Sequence, residues 1–292
     1  MPLATVALRD RNVRVQRVLI GLLVANLAVV GAKFVIAWRT GSLGVLGDAV
    51  HSSVDAMNNV LALAVIWVAA REPDEDHPYG HEKFETLGAL AIVVFLSITG
   101  FELVKGAVGR LASGGVALDV GALELSLLVG TLAVNTGVAV YESRRGRALN
   151  SELLLADAAH TRADVFITVG VLVGVLAARE GYWYVDPIMA LIVAVAIVVI
   201  AYGIVARSVP VLVDEHAEPA DAIQVAAESV DGVIRAYDIR SRGAHHRRFA
   251  EVTIAVRRDQ TVDGAHRIAD AVELRLRREL QLHEIVVHVE PC

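Results

Sequence analysis

Six long apolar runs occupy the first 213 residues, at approximately 18–38, 43–70, 87–111, 118–140, 153–177 and 188–205. Runs of this length leave few options. A hydrocarbon layer about 30 Å thick takes roughly 20 helical residues to cross, and within it each backbone N–H and C=O must be bonded inside its own segment. Six membrane-spanning helices are therefore expected. Residues 214–292 are different: they hold nearly half of the charged side chains and six of the ten histidines. The chain should divide into a transmembrane domain of residues 1–213 and a small soluble domain of residues 214–292. With 55 % apolar and 21 % charged residues, a disordered chain is excluded and an ordinary soluble one fits poorly.

Orientation follows from the arginines and lysines in the short flanks. Arg9, Arg11, Arg14 and Arg17 precede the first run, Arg71 and Lys83 lie between the second and third, Arg144, Arg145 and Arg147 between the fourth and fifth, and Arg207 after the sixth. The other side has Arg39, Arg110 and Arg179, with Lys105 near a run's end. Both termini should face the cytoplasm, the basic start serving as a retained anchor of a multi-pass inner-membrane protein. The single cysteine, Cys292, excludes a disulfide within the chain, and a net charge of −6 with no lysine-rich patch gives no reason to expect a nucleic-acid partner.

The tail has helical spacing over 219–230, extended patterns over 233–242 and 249–258 about a turn at 243–247, a second helical pattern over 262–280, and alternation over 284–290. This order, αββαβ, predicts a small ferredoxin-like sheet backed by two helices.

Two apolar runs carry charge deep inside. The second contains GDAVHSSVDA and the fifth ADAAHTRADV, each reading Asp-Ala-X-His-X-X-X-Asp. These are Asp48, His51 and Asp55 in one, and Asp157, His160 and Asp164 in the other. Helical residues four apart share a face, so each helix offers an imidazole beside a carboxylate. Two nitrogens and two oxygens suit a tetrahedral site for zinc or a similar divalent ion. A lone intramembrane histidine is equally well explained by a hydrogen bond to another helix. Four buried carboxylates in a repeated pattern are not, since each costs several kcal/mol even on lenient insertion scales. Asp48 and Asp157, three residues before their histidines, and Asn59, one turn beyond Asp55, are expected in supporting or pathway roles rather than as ligands. Arg162 should lie on another face.

At this point the sequence resembles the cation diffusion facilitator family of divalent-metal exporters, over almost the whole chain. The resemblance implies a homodimer that moves metal out of the cytoplasm against a proton gradient, with protons as counter-ion. It implies that His51, Asp55, His160 and Asp164 form the transport site, in the two-histidine form similar to zinc-selective members. Asp74, His77 and His81, in the loop PDEDHPYGHEK after the second run, resemble the family's cytoplasmic loop site; the bland alternative is a solvated acidic loop. Lys83 and Asp214 resemble the partners of an ion pair at the membrane face. In the tail, His266, His288 and Glu290 match cytoplasmic metal-binding positions, while Tyr237 and Thr253 stand where members often have histidine. One ion at most is expected there, assisted by His245, His246 or Cys292, and a surface without metal is the alternative.

The expected function is a proton-coupled antiporter exporting divalent cations, zinc first, with ferrous iron, cadmium, cobalt and nickel as rivals that ligand type leaves close. No enzymatic chemistry is required. The rival from another class is a membrane-embedded zinc hydrolase, opposed by a coordination shell closed with four protein ligands and by the lack of a His-Glu-X-X-His helix. A metal receptor without transport is a further alternative.

Overall fold

The computed structural model describes residues 3–40, 43–113, 121–244 and 247–292, with side chains for all of these except 3–9, 36–37, 40, 43–45, 47–48, 50–51, 54–55, 123–124 and 244. The chain forms two compact units, one of Arg9–Ser208 and one of Met1–Leu8 with Val209–Cys292.

Six helices take the places of the six apolar runs: α1 (Leu3–Thr40), α2 (Leu43–Ala69), α3 (Lys83–Ala112), α4 (Ala122–Leu149), α5 (Glu152–Arg179) and α6 (Val185–Leu212). Among the described residues, five stretches are long and apolar enough to cross a membrane: Asp10–Val35, Lys83–Ala112, Leu125–Leu149, Glu152–Arg179 and Val185–Leu212; the described apolar part of α2 is Ala56–Ala69. Their outer faces carry large apolar side chains such as Val94, Ile98 and Phe101 on α3 and Val195, Val198 and Tyr202 on α6, all well exposed. Water would oppose so large an apolar surface, whereas lipid accommodates it.

α1 and α4 extend well past the apolar runs that announce them. Arg144, Arg145 and Arg147 continue α4 to Leu149, because long basic side chains can lie along a helix and carry their charge away from its apolar part. The helix stops at Asn150, whose φ of 48° is left-handed, and Ser151 caps α5 by accepting the amide of Leu154 at 3.3 Å. That two-residue connection folds α4 tightly onto α5. A β-carbon on Gly146 would lie 3.0 Å from Leu155, so a side chain here would press on Leu155.

The helical core joins Val15, Leu19 and Leu22 of α1, Ile66 of α2, Ile92 and Leu96 of α3, Leu153 and Leu154 of α5, and Ile197 and Ile204 of α6. At one end a charged clasp is buried. Arg11 donates to both oxygens of Glu85, at 2.9 and 3.1 Å, and to the carbonyls of Leu149 and Asn150, both at 2.8 Å; Ser151 adds its hydroxyl to Glu85. At the other end Arg110 of α3 pairs with Asp186 of α6, against which Gly174 of α5 packs so closely that a β-carbon there would clash.

The second unit is the expected αββαβ arrangement: α7 (Ala220–Glu228), β1 (Arg235–Ala244), β2 (Arg247–Val256), α8 (Val262–Leu280) and β3 (Glu284–Pro291). The sheet order is β1-β2-β3, with β1 antiparallel and β3 parallel to β2. Parallel neighbours need a long crossover, which α8 supplies. α8 is capped by the Thr261 hydroxyl, which accepts from Gly264 at 3.0 Å, and ends at Gln281 with φ 54°. One sheet face, with Ala250, Val252, Ile254 and Val256, packs against Ile223, Ala227, Val272 and Leu276 of the two helices. The opposite face carries Tyr237, Thr253 and His288, paired across the three strands. The turn joining β1 to β2 is narrower than the sequence suggests, the strands running to Ala244 and from Arg247; His245 and His246 lie outside the described residues.

Candidate metal-transport site and associated metal positions

The intramembrane cluster is described fully on its α5 side. His160 is 8 % exposed and Asp157 3 %, and Nε2 of His160 lies 3.9 Å from Oδ2 of Asp164, one turn on. Asn58 of α2 reaches across to place Nδ2 3.3 Å from the same nitrogen. The side chains of Asp48, His51 and Asp55 lie outside the described residues, though their backbone belongs to α2. The helical repeat relates them to Asn58: residue 58 follows His51 by seven and Asp55 by three, so the three fall on one stripe.

It is thus Asn58 whose amide meets His160. Asn59, expected in that supporting role, is buried, and its Nδ2 has no hydrogen-bond partner among the described residues. Seven residues bring a helix back to within about 20° of His51, while eight overshoot by about 80°. Arg162 is exposed and bonds the Ala158 carbonyl of its own helix at 3.2 Å.

Two charged residues near this cluster were not singled out from the sequence. Glu142 of α4 is 1 % exposed. It accepts the Thr161 hydroxyl at 2.9 Å, a hydroxyl that also leans on the Asp157 carbonyl at 3.2 Å, and it lies within electrostatic reach of Asp157 and Asp164. Lys33 of α1 is 4 % exposed, and its Nζ donates to Oγ of Ser52 at 2.9 Å. For Lys33 the available signal was a charge inside an apolar run; Glu142 lies just past the run ending at 140.

The loop between α2 and α3 brings Asp74, His77 and His81 together, each offering a ligand atom within 4.8 Å of the others; no other group of three or more His, Cys, Asp or Glu is this close among the described residues. Asp74 accepts the backbone N–H of His77 at 2.7 Å, and its second oxygen is 3.2 Å from Nε2 of His81. The imidazole centroids are 4.3 Å apart, a convergence allowed by the left-handed Gly80 at φ 87°. His81 is buried, and its Nδ1 makes no hydrogen bond among the described residues. The His77 backbone bond, against a smaller opposing effect of burial, holds the Asp74 carboxyl below its ordinary value of 3.8, helped by the imidazoles.

In the tail, His288 and Glu290 share the open face of β3, Nε2 to Oε1 at 3.6 Å. Tyr237 donates its hydroxyl to Glu290, and that bond, with some burial, pushes the phenol above its ordinary value. His266 is not brought to them; it stands on α8, 3.7 Å from Asp270. Thr253 pairs with Tyr237 on one side and His288 on the other, so of the two positions expected from the resemblance to carry histidine, Thr253 borders the His288 position and Tyr237 lies one strand further off. Cys292 is exposed. Lys83 opens α3 in the helical unit, and Asp214, in the other unit, has Arg242 3.7 Å away.

Residues 19–213 match the cation efflux transmembrane domain, and residues 216–292 match the cytoplasmic domain of cation efflux proteins. An uncharacterized transporter of Methanocaldococcus jannaschii is 32 % identical over 279 residues, 94 % of this chain and 98 % of that one. The manganese efflux system protein MneS of Bacillus subtilis is 26 % identical, covering 91 % and 92 %. The cation-efflux pump FieF of Shewanella oneidensis is 27 % identical, covering 88 % and 87 %. With the His160–Asp164 pair on α5, six apolar helices and an αββαβ tail, the chain belongs to the cation efflux family, the cation diffusion facilitators, which are multi-pass membrane transporters exporting divalent metal ions.

Proposed function

We propose that this chain is a proton-coupled antiporter that exports divalent metal from the cytoplasm, with zinc as its principal substrate. The observation carrying this reading is the meeting of α2 and α5 at His160, where Asn58 ties the stripe of residues 51, 55 and 58 to the His160–Asp164 pair. His51, Asp55, His160 and Asp164 then provide two nitrogens and two oxygens for the ion. Asp157 supports the turn that presents His160, and Asp48 has the matching place on α2. A ligating imidazole must be unprotonated, so metal and proton exclude one another at the histidines. Cytoplasmic metal displaces protons, and protons from a more acidic far side displace metal.

Asp74, His77 and His81 offer three converging ligands at the mouth of the α2–α3 loop, where exchange with water is easy. In the tail, His288 and Glu290, with His266 as a further candidate, take at most one ion per chain, because Tyr237 already engages Glu290. The exposed sheet face with Tyr237, Thr253 and His288 suits pairing of two copies, consistent with a homodimer. The reading places residues 1–213 in the inner membrane and 214–292 in the cytoplasm with both termini.

Manganese is the second reading, because a relative that covers nearly the whole chain is named for manganese efflux. Two imidazoles favour the softer ion, since manganese prefers carboxylate, carbonyl and water ligands. Competitive uptake of zinc, manganese, ferrous iron, cadmium, cobalt and nickel by proteoliposomes tests the order. Zinc should outcompete manganese; the opposite order would assign the chain to manganese.

A further inference from the structure

The first turns of α1 meet the end of α4 at the Arg11 clasp, which takes the carbonyls of Leu149 and Asn150. Arg14 and Arg17 follow Arg11 on α1, and Arg144, Arg145 and Arg147 occupy the last two turns of α4. At 1.5 Å per residue, these arginines stand within roughly 9 Å of the clasp along their helix axes. All of them are exposed, and none has an ion pair or a side-chain hydrogen bond among the described residues. The acids nearby are engaged elsewhere: Glu85 by Arg11, Glu152 by Arg207, and Glu142 by Thr161 in the interior. Asp10, exposed at the edge of the patch, pairs with none of them, and residues 1–9 contain no acid. The patch also lies where the apolar runs 18–38 and 118–140 have their ends. Tyr141, just past the second of these, is 43 % exposed, and the Arg145 guanidinium carbon lies 5.4 Å from its ring centre. Tyrosine at such a boundary sits at the level of the lipid headgroups, so the cation stacked on it faces phosphates.

We propose that Arg14, Arg17, Arg144, Arg145 and Arg147 form a docking surface for the headgroups of anionic phospholipids in the cytoplasmic leaflet. The proposal goes beyond metal antiport and shares with that reading only the placement of this end at the cytoplasmic face. Every cation of the patch is a guanidinium, whose planar fork takes two phosphate oxygens at once. An anionic leaflet supplies the counter-charge that the protein does not. Lipid held by the end of α4 borders the short turn at which Ser151 caps α5. The surface therefore lies at the foot of the helix that presents His160 and Asp164.

The test uses the purified full chain in a neutral detergent, titrated with fluorescently labelled phosphatidylglycerol. Labelled phosphatidylcholine is the lipid without net charge, and inorganic phosphate is the competing free anion. Phosphatidylglycerol should bind saturably and roughly tenfold more tightly than phosphatidylcholine, with an affinity that falls as salt is raised; millimolar phosphate should not displace it. Arg144→Gln, Arg145→Gln and Arg147→Gln together should weaken phosphatidylglycerol binding by roughly tenfold or more, each arginine at an anionic surface counting for about fivefold. Arg144→Lys, Arg145→Lys and Arg147→Lys together, which keep the charge, should retain most of the binding. If the triple glutamine variant does not fold, Arg145→Gln alone replaces it, with about a fivefold loss expected. Equal affinity for the two lipids, or parental phosphatidylglycerol binding in a folded glutamine variant, overturns the proposal. Displacement by inorganic phosphate also overturns it, because it would mark a general anion surface. Orientation plays no part in detergent, so failure here leaves the antiport reading standing, whereas normal zinc flux in Asp164→Ala would remove the transport site and leave this surface in place.

Discussion

His160 is held from two sides, by the Asn58 amide at 3.3 Å and by the turn that Thr161 ties to Glu142. Glutamine at 142 would still accept the Thr161 hydroxyl, and alanine would leave it short of a partner. Glu142→Gln should therefore keep zinc flux within about twofold of the parent, while Glu142→Ala lowers it roughly tenfold, in line with one lost buried hydrogen bond. Flux assays on both variants check this, and equal loss in the two would mean that the charge matters more than the bond. The loop offers a pH test. Asp74 has its carboxyl held below 3.8, chiefly by the His77 amide. A depressed carboxylate contributes order above its ordinary value and loses it as pH falls through the lowered one. Hydrogen-exchange protection of the His77 amide should thus persist from pH 7 down to about 4 and fade below; Asp74→Asn should reduce it throughout. The histidines and aspartates were legible because each interrupts an otherwise apolar run in a repeated pattern. Lys33 and Glu142 interrupt theirs singly: Lys33 sits within the run 18–38, and Glu142 just beyond the run ending at 140. A single charge near a run's end reads as a flank until its burial is known.

At the scale of elements, apolar length revealed the helices and alternation revealed the strands, because lipid and a one-sided sheet each impose a period on the sequence. Helix ends were less legible. α1 and α4 extend through arginine-rich sequence, and what stops α4 is the left-handed Asn150. The clasp of Arg11, Glu85 and Ser151 was also hidden, since residues 74 apart in sequence carry no pattern that pairs them. Removing Glu85 would leave the Arg11 guanidinium buried without its carboxylate. Glu85→Ala should lower stability by about 3–5 kcal/mol, and Ser151→Ala by about 1 kcal/mol, as read by thermal unfolding in detergent. Nearly equal effects would show that the clasp is not the anchor of this end. In the tail, the order of elements along the chain was legible, whereas the distance between His266 and the His288–Glu290 pair depends on how α8 lies on the sheet. Calorimetry of residues 214–292 should find at most one tight zinc per chain; two would mean that Tyr237 and Thr253 do not limit the site.

At the scale of the whole molecule, a helical membrane unit and a small α/β tail are combined in a chain whose family exports divalent metal. In the proposed reading, the ion and its driving force rest on the chemistry of four side chains, two of them imidazoles that must shed protons to bind metal. Antiport follows if those protons come from the far side. Zinc flux in proteoliposomes under an imposed pH difference, with Asp164→Ala as the reference, tests this most directly. An inward proton gradient should accelerate outward zinc movement in the parent, and Asp164→Ala should carry no zinc under any gradient. Parental flux that ignores the gradient, or near-normal flux in Asp164→Ala, contradicts proton-coupled export through this site.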